Sequence, residues 1–267
     1  MIKKINRVLG SLDYYLLSFF KNRIGLNNFD IEKNGEKFVA QSIISQIKKP
    51  TIFDVGTNVG DWTNLALAAN AESSMYLFDA NPDICKSLEL RFSDSVQKIT
   101  NSLVSDDHNV HNFYISDSNS LSGASSMYEH YYLKNKSTQL SVKSTTIDTF
   151  CVENNISKID YLKADIEGAE VPMLKGASTM MQDQAISFIQ LEYNQTWIKS
   201  NCCLQDIFSI CEKYKYRLYR IMPNSLMSLD YYHYIVDDFN YQNLLMVSDK
   251  TEIPIKIIKN AMPEGVY

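Results

Sequence analysis

A short apolar run that leads directly into a glycine-containing turn constrains the fold of this chain more than any other feature. Residues 51–55 (TIFDV) have the pattern of a buried parallel strand, residues 56–61 form the turn, and residues 62–69 follow as a helix. A second apolar strand, residues 75–78, leads into a helix that begins at Asn81-Pro82. Strand, turn, helix and strand in this order form a βαβ unit, which is typical of a parallel sheet.

The rest of the chain continues this alternation of strands and helices. Further strands are expected over residues 98–104, 159–164, 186–191, 217–222 and 244–247. Further helices are expected over residues 35–49, 82–92, 146–154, 168–181 and 204–213. A hairpin around a serine-rich loop is expected from residues 110–115 and 140–144. We therefore expect an α/β domain with a Rossmann-like, mostly parallel seven-stranded sheet and helices on both faces.

The two ends of the chain lie outside this pattern. The expected divisions are an N-terminal helical extension over residues 1–50, the main domain over 51–250 and a C-terminal tail over 251–267. Leu9, Leu12 and Leu16 recur at helical spacing and predict an amphipathic helix near the N-terminus. Its apolar face is expected to pack on the domain or on a second copy of the chain. Because basic residues flank this helix, contact with a membrane surface is the alternative expectation.

Composition excludes several classes of protein. The 267 residues are 45% hydrophobic and 21% charged, as in ordinary globular chains. A formal net charge of -5 argues against a broad basic surface, so no nucleic-acid partner is expected. The five cysteines are odd in number and lack a C-x-x-C pair, which predicts reduced thiols and a cytoplasmic protein. The four histidines have no cysteine partners at zinc-ligand spacing.

The first strand ends in a turn that reads D-V-G-T-N-V-G-D-W from Asp54 to Trp62. A strand that runs into glycines and then into a helix lets backbone N–H groups approach a ligand closely. The turn does not match the G-x-G-x-x-G fingerprint of NAD-binding proteins, because Asn58 stands at the second glycine position. The carboxylate of Asp54 favours a ligand with a positively charged amino group, such as the amino-acid end of a cofactor.

An acidic residue also follows the second strand. In doubly wound folds, an acid at this position accepts hydrogen bonds from the hydroxyl groups of a ribose. Asp79 occupies that position here. The two oxygens of a carboxylate are able to accept from both hydroxyls of a cis-diol at once.

A third group of acids follows the strand predicted over residues 159–164. Asp165 and Glu167 precede Gly168, and Glu170 lies at the start of the next predicted helix, where an acid commonly caps the helix. Glu192 follows the neighbouring predicted strand, so Asp165 and Glu192 are expected at one edge of the sheet. Two acids placed in this way would orient a substrate hydroxyl or hold a divalent metal ion. No residue is assigned as a metal ligand from the sequence.

These segments occur in the order seen in FkbM-type methyltransferases, and the chain resembles that family over roughly residues 51–248. The matching segments are FDVGTNVGDW at 53–62, FDANP at 78–82, NSLVSD at 101–106, TID at 146–148, LKADIEGAE at 162–170, LKGA at 174–177 and LE at 191–192. The DIEGAE segment with the KGA that follows it is the most specific part of the resemblance.

The resemblance implies a class I methyltransferase fold, S-adenosylmethionine (SAM) as methyl donor, and a sugar, glycan or glycoconjugate hydroxyl as acceptor. It places the glycine turn at the methionine end of the cofactor, Asp79 at the ribose, and the end of the third strand near adenine. The family more often has glutamate where Asp79 stands. The implied cofactor-binding residues are Asp54, Gly56, Asn58, Gly60, Asp61, Trp62, Asp79, Asn81, Ser102 and Leu103.

A methyl transfer to a hydroxyl requires a base that removes the hydroxyl proton. Asp165 and Glu192 are the expected bases and Glu167 is the third candidate. His130, in the serine-rich region, is an alternative base, and residues 123–126 (GASS) are expected to close over the cofactor. Three other activities stay open: N-methyl transfer on the same fold, binding of SAM without catalysis, and NAD-dependent oxidation.

Overall fold

The computed structural model describes Tyr15, Leu16, Phe19, Lys21 and residues 26–116, 125–129 and 137–259. The described strands are β1 (Thr51–Val55), β2 (Ser74–Asp79), β3 (Lys98–Asn101), β4 (Leu103–Val104), β5 (Val110–Ser116), β6 (Ser137–Thr145), β7 (Ile159–Ala164), β8 (Ile186–Tyr193), β9 (Tyr216–Met222), β10 (Ser225–Ser228), β11 (Gln242–Ser248) and β12 (Ile257–Ile258). The described α-helices are α1 (Glu36–Ile44), α2 (Asp61–Ala69), α3 (Pro82–Phe92), α4 (Ile147–Glu153), α5 (Glu170–Lys175), α6 (Ser178–Gln182) and α7 (Leu204–Tyr214). Short 3₁₀ helices cover Gln195–Ile198 and Tyr234–Val236.

Nine strands form the main sheet, in the order β12-β10-β9-β11-β8-β7-β1-β2-β3. The five strands from β3 to β8 in this row are parallel to one another, whereas β11 is antiparallel to both β8 and β9. The parallel strands therefore end at one edge of the sheet, and β11 begins at the same edge. The expected α/β, mostly parallel architecture is confirmed, but the predicted number of seven strands is wrong, because β10 and β12 extend the sheet.

Alternate residues of the central strands pack against helices on opposite faces of the sheet. Phe53 and Val55 of β1 lie in one core with residues of α4 to α7, whereas Ile52 lies in a second core with residues of α1 to α3. In the second core, Trp62 of α2 packs on Tyr161 of β7 with ring centroids 5.5 Å apart. Because both faces of the central strands are buried, the ends of these strands are held firmly in place.

A smaller three-stranded sheet, β4-β6-β5, accounts for the predicted hairpin and for one error. β5 and β6 pair in antiparallel register from Val110 with Lys143 to Ser116 with Ser137, which confirms the hairpin. The single strand predicted over residues 98–104 is wrong, because the chain turns at Ser102. The Ser102 hydroxyl donates to the carbonyl oxygen of Lys143 at 2.8 Å, and β4 leaves the main sheet to pair with β6.

The single helix predicted over residues 168–181 is also wrong, because the chain forms α5 and α6 instead. The carboxylate of Asp148 accepts hydrogen bonds from the backbone N–H groups of Thr179 at 2.8 Å and Met180 at 3.0 Å. These groups lie in the first turn of α6, where backbone donors have no partner within the helix. Asp148 therefore acts as a cap that favours a new helix at this point.

Most of the predicted N-terminal amphipathic helix lies outside the described residues, although Tyr15, Leu16, Phe19 and Lys21 are helical. The predicted helix over residues 35–49 is present as α1, and it shares the second core with β1 and α2. The boundaries predicted at residues 50 and 250 stay predictions. In the described part of the chain, no helix has both the length and the apolar character that a bilayer crossing needs.

Replacement of Asp148 by alanine is expected to lower the free energy of unfolding by about 1–2 kcal/mol, because two N–H groups of α6 lose their acceptor. Thermal denaturation measures the change. Asp183→Ala removes an exposed acid at the other end of α6 and is the matched control, expected within about 0.5 kcal/mol of the parent. Equal stability of both variants would contradict the capping role.

Candidate active site

A cavity of about 750 Å³ lies along the edge where the parallel strands end. This volume falls in the usual range of small-molecule sites. Most of the residues predicted from the sequence line the cavity. They are Gly56, Asn58, Asp61, Trp62, Asp79, Asn81, Ser102, Leu103, Asp165, Glu167 and Glu192. The other two, Asp54 and Gly60, do not line the cavity, although both belong to the same turn.

Gly56 brings the first turn into direct contact with the acidic segment. Its φ angle is 79°, and a Cβ atom at this position would lie only 1.9 Å from the carbonyl oxygen of Asp165. The backbone N–H of Asp165 donates to the carbonyl oxygen of Val55 at 3.0 Å. Only glycine permits both the positive φ angle and this approach, so the turn and the acids form one surface.

Two further residues of the turn adopt left-handed conformations. Gly60 has a φ angle of 84°, and a Cβ atom there would lie 2.5 Å from the ring of Phe92. Asn58 has a φ angle of 49°, which asparagine tolerates better than most residues. Its backbone N–H donates to Oδ2 of Asp79 at 2.9 Å. Gly60 thus shapes the turn from behind the cavity, whereas Asn58 joins the first turn to the second strand.

Asp54 is fully buried beneath the turn. Its Oδ2 accepts a hydrogen bond from the hydroxyl of Thr63 at 2.6 Å, whereas Oδ1 has no partner among the described residues. Burial raises the pKa of this carboxyl group, and the positive charge of Lys163 partly opposes that rise. Asp54 therefore links the end of β1 to α2 through Thr63, beneath the turn that lines the cavity.

Asp79 ends β2 and faces the cavity. Its Oδ1 accepts from the backbone N–H of Asn81 at 2.8 Å, and its Oδ2 accepts from Asn58 at 2.9 Å. A carboxylate oxygen has more than one lone pair, so both oxygens retain capacity to accept from a ligand. Burial raises the pKa of Asp79 to about 6, although these two hydrogen bonds oppose the rise.

The region beyond Asp79 is more apolar. Ser102 and Leu103, predicted near adenine, line the cavity beside Ala80, Ile84 and Phe113. Leu103, Ala80 and Phe113 belong to one small buried cluster. The structure therefore provides an apolar slot next to a carboxylate, which suits a flat base attached to a ribose.

Three carboxylates meet at the centre of the cavity. Oxygens of Asp165, Glu167 and Glu192 all lie within 4.8 Å of one another. Burial raises the pKa of both glutamates well above the usual range, and the negative charge of Asp165 raises them further. Glu192 lies within β8 rather than after it, because the strand continues to Tyr193. Asp165 and Glu192 therefore lie close together at one edge of the sheet, as predicted, and Glu167 lies with them.

Lys163 is a site residue that the sequence reasoning did not select. Its Nζ atom lies 3.3 Å from Oδ2 of Asp165, and its side chain is 7% exposed. Burial opposes the charge of Lys163, but the carboxylates of Asp165 and Asp54 outweigh this effect and raise its pKa. The sequence did contain a pattern that would have identified Lys163. It lies two residues before Asp165 at the end of β7, and this spacing places both side chains on one side of the strand.

Glu170 has a structural role, but it binds the turn before α5 and does not cap the helix as predicted. Its carboxylate accepts from the backbone N–H groups of Ile166 and Gly168, each at 3.0 Å, and the residue is almost fully buried. Burial raises the pKa of Glu170 to about 8. Gly168 has a φ angle of 102°, so the chain turns sharply between the acids and α5. Glu170 holds this turn together and does not line the cavity.

Other lining residues were also absent from the sequence prediction. Three stretches contribute them: residues 27–36, which precede and begin α1, residues 194–196 after β8, and residues 239–241 before β11. His130 and the first part of the GASS segment lie outside the described residues. Of that segment, Ser125 lines the cavity and the Ser126 hydroxyl donates to the carbonyl oxygen of Glu167 at 2.9 Å.

Comparison with protein families gives one match. Residues 54–220 match the family described as the methyltransferase FkbM domain. This range includes the first turn, Asp79 and all three central carboxylates. No curated protein sequence matches the chain. The residues of the cavity at 27–36 and 239–241 lie outside the matched range.

Several solved structures are similar in fold at low identity. A precorrin-6y C5,15-methyltransferase from Geobacter metallireducens is 9% identical, with a TM-score of 0.42 over 79% of this chain and 87% of that one. The plantazolicin methyltransferase BpumL, solved with S-adenosylhomocysteine (SAH), is 8% identical, with a TM-score of 0.42 over 88% and 90%. A SAM-dependent O-methyltransferase from Thermotoga maritima is 9% identical, with a TM-score of 0.40 over 81% of this chain and 66% of its own length.

The affinity for SAH is expected to fall as the pH is lowered through about 6, because protonated Asp79 loses capacity to accept from a ribose. Calorimetric titration of SAH between pH 5 and 8 measures this dependence. In Asp79→Asn, the affinity is expected to be at least about tenfold weaker and the pH profile flatter. An unchanged profile in the variant would contradict the assignment of Asp79 to the ribose.

Proposed function

The chain belongs to the methyltransferase FkbM domain family, and we propose that it transfers the methyl group of SAM to a hydroxyl of a sugar, glycan or glycoconjugate. The observation that carries this proposal is that a cofactor-binding turn and a group of carboxylates line the same cavity, next to each other. The glycine turn and Asp79 form one half, and the carboxylates of Asp165, Glu167 and Glu192 form the other. A donor in the first half thus has proton acceptors next to it.

The residues present fit SAM. Gly56 and Asn58 of the turn line the cavity, and Asp79 retains acceptor capacity for ribose hydroxyls. The indole N–H of Trp62, in a residue that lines the cavity, is buried and has no partner among the described residues. Acidic side chains around the centre favour a positively charged ligand. These features support the cofactor assignment residue by residue.

The protein has two tasks in this reaction. SAM supplies an activated methyl group, so the protein holds the acceptor oxygen in line with it and removes the hydroxyl proton. Glu192 and Glu167 have raised pKa values, so whichever of them is unprotonated is a stronger base than an ordinary carboxylate. Asp165, paired with Lys163, is placed to orient the hydroxyl by accepting its hydrogen bond. The hydroxyl proton goes to a carboxylate oxygen of this group.

The same three carboxylates are an alternative binding site for a divalent metal ion. Mg²⁺, Mn²⁺ and Ca²⁺ prefer oxygen ligands, and three carboxylate oxygens within 4.8 Å of one another match that preference. A metal ion held there would lower the pKa of a bound hydroxyl. Lys163 next to Asp165 opposes a second positive charge, so we favour proton transfer to the carboxylates.

The other activities left open by the sequence have less support. The family match and the missing glycine fingerprint favour a methyl donor over NAD. The meeting of Asp165, Glu167 and Glu192 beside the turn favours catalysis over simple binding, because raised pKa values of the two glutamates suit a base and are not needed to bind SAM alone.

Asp165→Asn is expected to reduce methyl transfer to acceptor by at least about 10²-fold and to change the Kd of SAH by less than about fivefold, because the side chain acts on the acceptor rather than the cofactor. Transfer of a labelled methyl group from SAM and titration of SAH measure the two effects. Asp183→Asn, an exposed acid near the opposite edge of the sheet, is the matched control and should leave both unchanged.

Full activity of Asp165→Asn would remove this residue from the mechanism. The same assay after treatment with a chelator, and again after addition of Mg²⁺, separates the two roles of the carboxylates. Activity that survives chelation supports proton transfer, whereas loss and recovery with Mg²⁺ supports the metal alternative.

A further inference from the structure

The far end of the cavity is closed by two segments that pack on each other. Residues 27–31 and 239–241, here called the outer wall, both contribute to the cavity lining. The backbone N–H of Asn27 donates to the carbonyl oxygen of Tyr241 at 2.8 Å, and the Tyr241 N–H donates to the Asn27 side chain at 3.0 Å. The rings of Phe29 and Tyr241 lie 4.3 Å apart between centroids. The outer wall is therefore a built surface with aromatic and amide groups.

The sheet order places the outer wall on the acceptor side of the carboxylates. Residues 239–241 lead into β11, which lies beyond β8 in the direction away from β1 and β2. The glycine turn and Asp79 follow β1 and end β2, and the three carboxylates lie at the ends of β7 and β8 between them. A molecule that receives a methyl group at the carboxylates therefore extends toward the outer wall.

The acidic and basic residues that line the cavity are strongly unequal in number. Among the described residues, the acids that line the whole cavity are Glu36, Asp61, Asp79, Asp165, Glu167 and Glu192. Lys163 is the single basic residue in that lining, and its ammonium group is already paired with Asp165. Lys21 donates to the side chain of Asn240 but does not line the cavity. A phosphate or carboxylate on the acceptor would thus find no unpaired basic group in the described lining.

Glu36 lies next to the outer wall. It is the first residue of α1 and is 6% exposed. Its Oε1 accepts from the Asn34 amide at 2.7 Å, and its Oε2 accepts from the Gln190 amide at 2.8 Å. The Tyr241 hydroxyl lies 3.5 Å from Oε1. The carboxylate is therefore fixed in place beside the Tyr241 hydroxyl. Burial raises the pKa of Glu36, and a bound ammonium group would favour its charged form.

An independent observation also indicates a polar ligand in this cavity. The hydroxyl of Thr196 has no hydrogen-bond partner among the described residues, although the residue is only 3% exposed and lines the cavity. Buried hydroxyl groups are normally satisfied, and a bound ligand would supply a partner for this one. A sugar offers hydroxyl groups that donate and accept, as this position requires.

We propose that the acceptor is a sugar with a free amino group, bound as an ammonium between Glu36 and the outer wall. This inference rests on the proposed function and adds the chemical class of the acceptor. The amino group is held by charge, while a neighbouring hydroxyl lies at the central carboxylates. Sugars that carry a phosphate or carboxylate are disfavoured, because the described lining offers no basic group other than Lys163, which is paired with Asp165.

Calorimetric titration of the SAH-loaded protein with two matched oligosaccharides tests this inference. The probes are the β-1,4-linked tetramers of glucosamine and of N-acetylglucosamine, with glucosamine and glucosamine 6-phosphate as a second pair. The glucosamine tetramer is expected to bind at least about tenfold more tightly than the acetylated one, since acetylation removes the charge. Glucosamine 6-phosphate is expected to bind at least about tenfold more weakly than glucosamine, which matches it in size.

Two variants distinguish the outer wall from general attraction to an acidic protein. Glu36→Gln is expected to abolish the tenfold preference and to keep the Kd of SAH within about fivefold. Glu212→Gln removes an exposed acid of α7 and should keep the preference in full. Phe29→Ala changes a ring that is 72% exposed, so it is expected to fold and to weaken the glucosamine tetramer by at least about threefold.

The inference is overturned if the two tetramers bind equally, if the glucosamine tetramer does not bind, or if Glu36→Gln keeps the preference. In each of these cases, intact binding of SAH leaves the proposed methyl transfer in place. Failure of SAH itself to bind would overturn the proposed function and this inference with it. If Glu36→Gln does not fold, an unchanged affinity of Phe29→Ala for the glucosamine tetramer overturns the inference.

Discussion

The contact between Gly56 and the backbone of Asp165 is the constraint on which the rest of the site depends. A single Cβ atom at Gly56 would lie 1.9 Å from the Asp165 carbonyl oxygen, so any other residue would force the two strand ends apart. Neighbouring positions of β1 and β7 in the sheet make this approach geometrically available. The result is that a cofactor-binding turn and an acidic segment, far apart in sequence, share one surface and one cavity.

Because the acids of the site lie close together, their negative charges repel one another, and Lys163 offsets only part of this repulsion. Lys163 offsets the charge of Asp165 directly and that of Asp54 at longer range. At Glu167 and Glu192, burial together with the charge of Asp165 raises the pKa values, and the opposing charge of Lys163 has the smaller effect. A centre of this kind favours positively charged ligands and accepts protons readily. Both properties suit methyl transfer from a sulfonium donor to a hydroxyl.

Sequence reasoning was most accurate where a local pattern alone determines the structure. The strands at Thr51–Val55 and Ile159–Ala164 match the prediction to the residue, because both are short, mostly apolar segments that lead directly into a turn. The break after Lys175 was missed because its cause, the capping of α6 by Asp148, is a tertiary contact. The outer wall was missed for the same reason, since Asn27 and Tyr241 are 214 residues apart in the chain.

The most direct test of the account is the thermal stability of the purified protein with SAH and, separately, with NADH. A ligand present at about 100 times its Kd adds about 2.7 kcal/mol to the stability of the folded state. The account predicts a clear rise in Tm with SAH and none with NADH, and a loss of the rise in Asp79→Ala. A rise with NADH instead, or no rise with either ligand, would contradict the assignment of this cavity to the methyl donor.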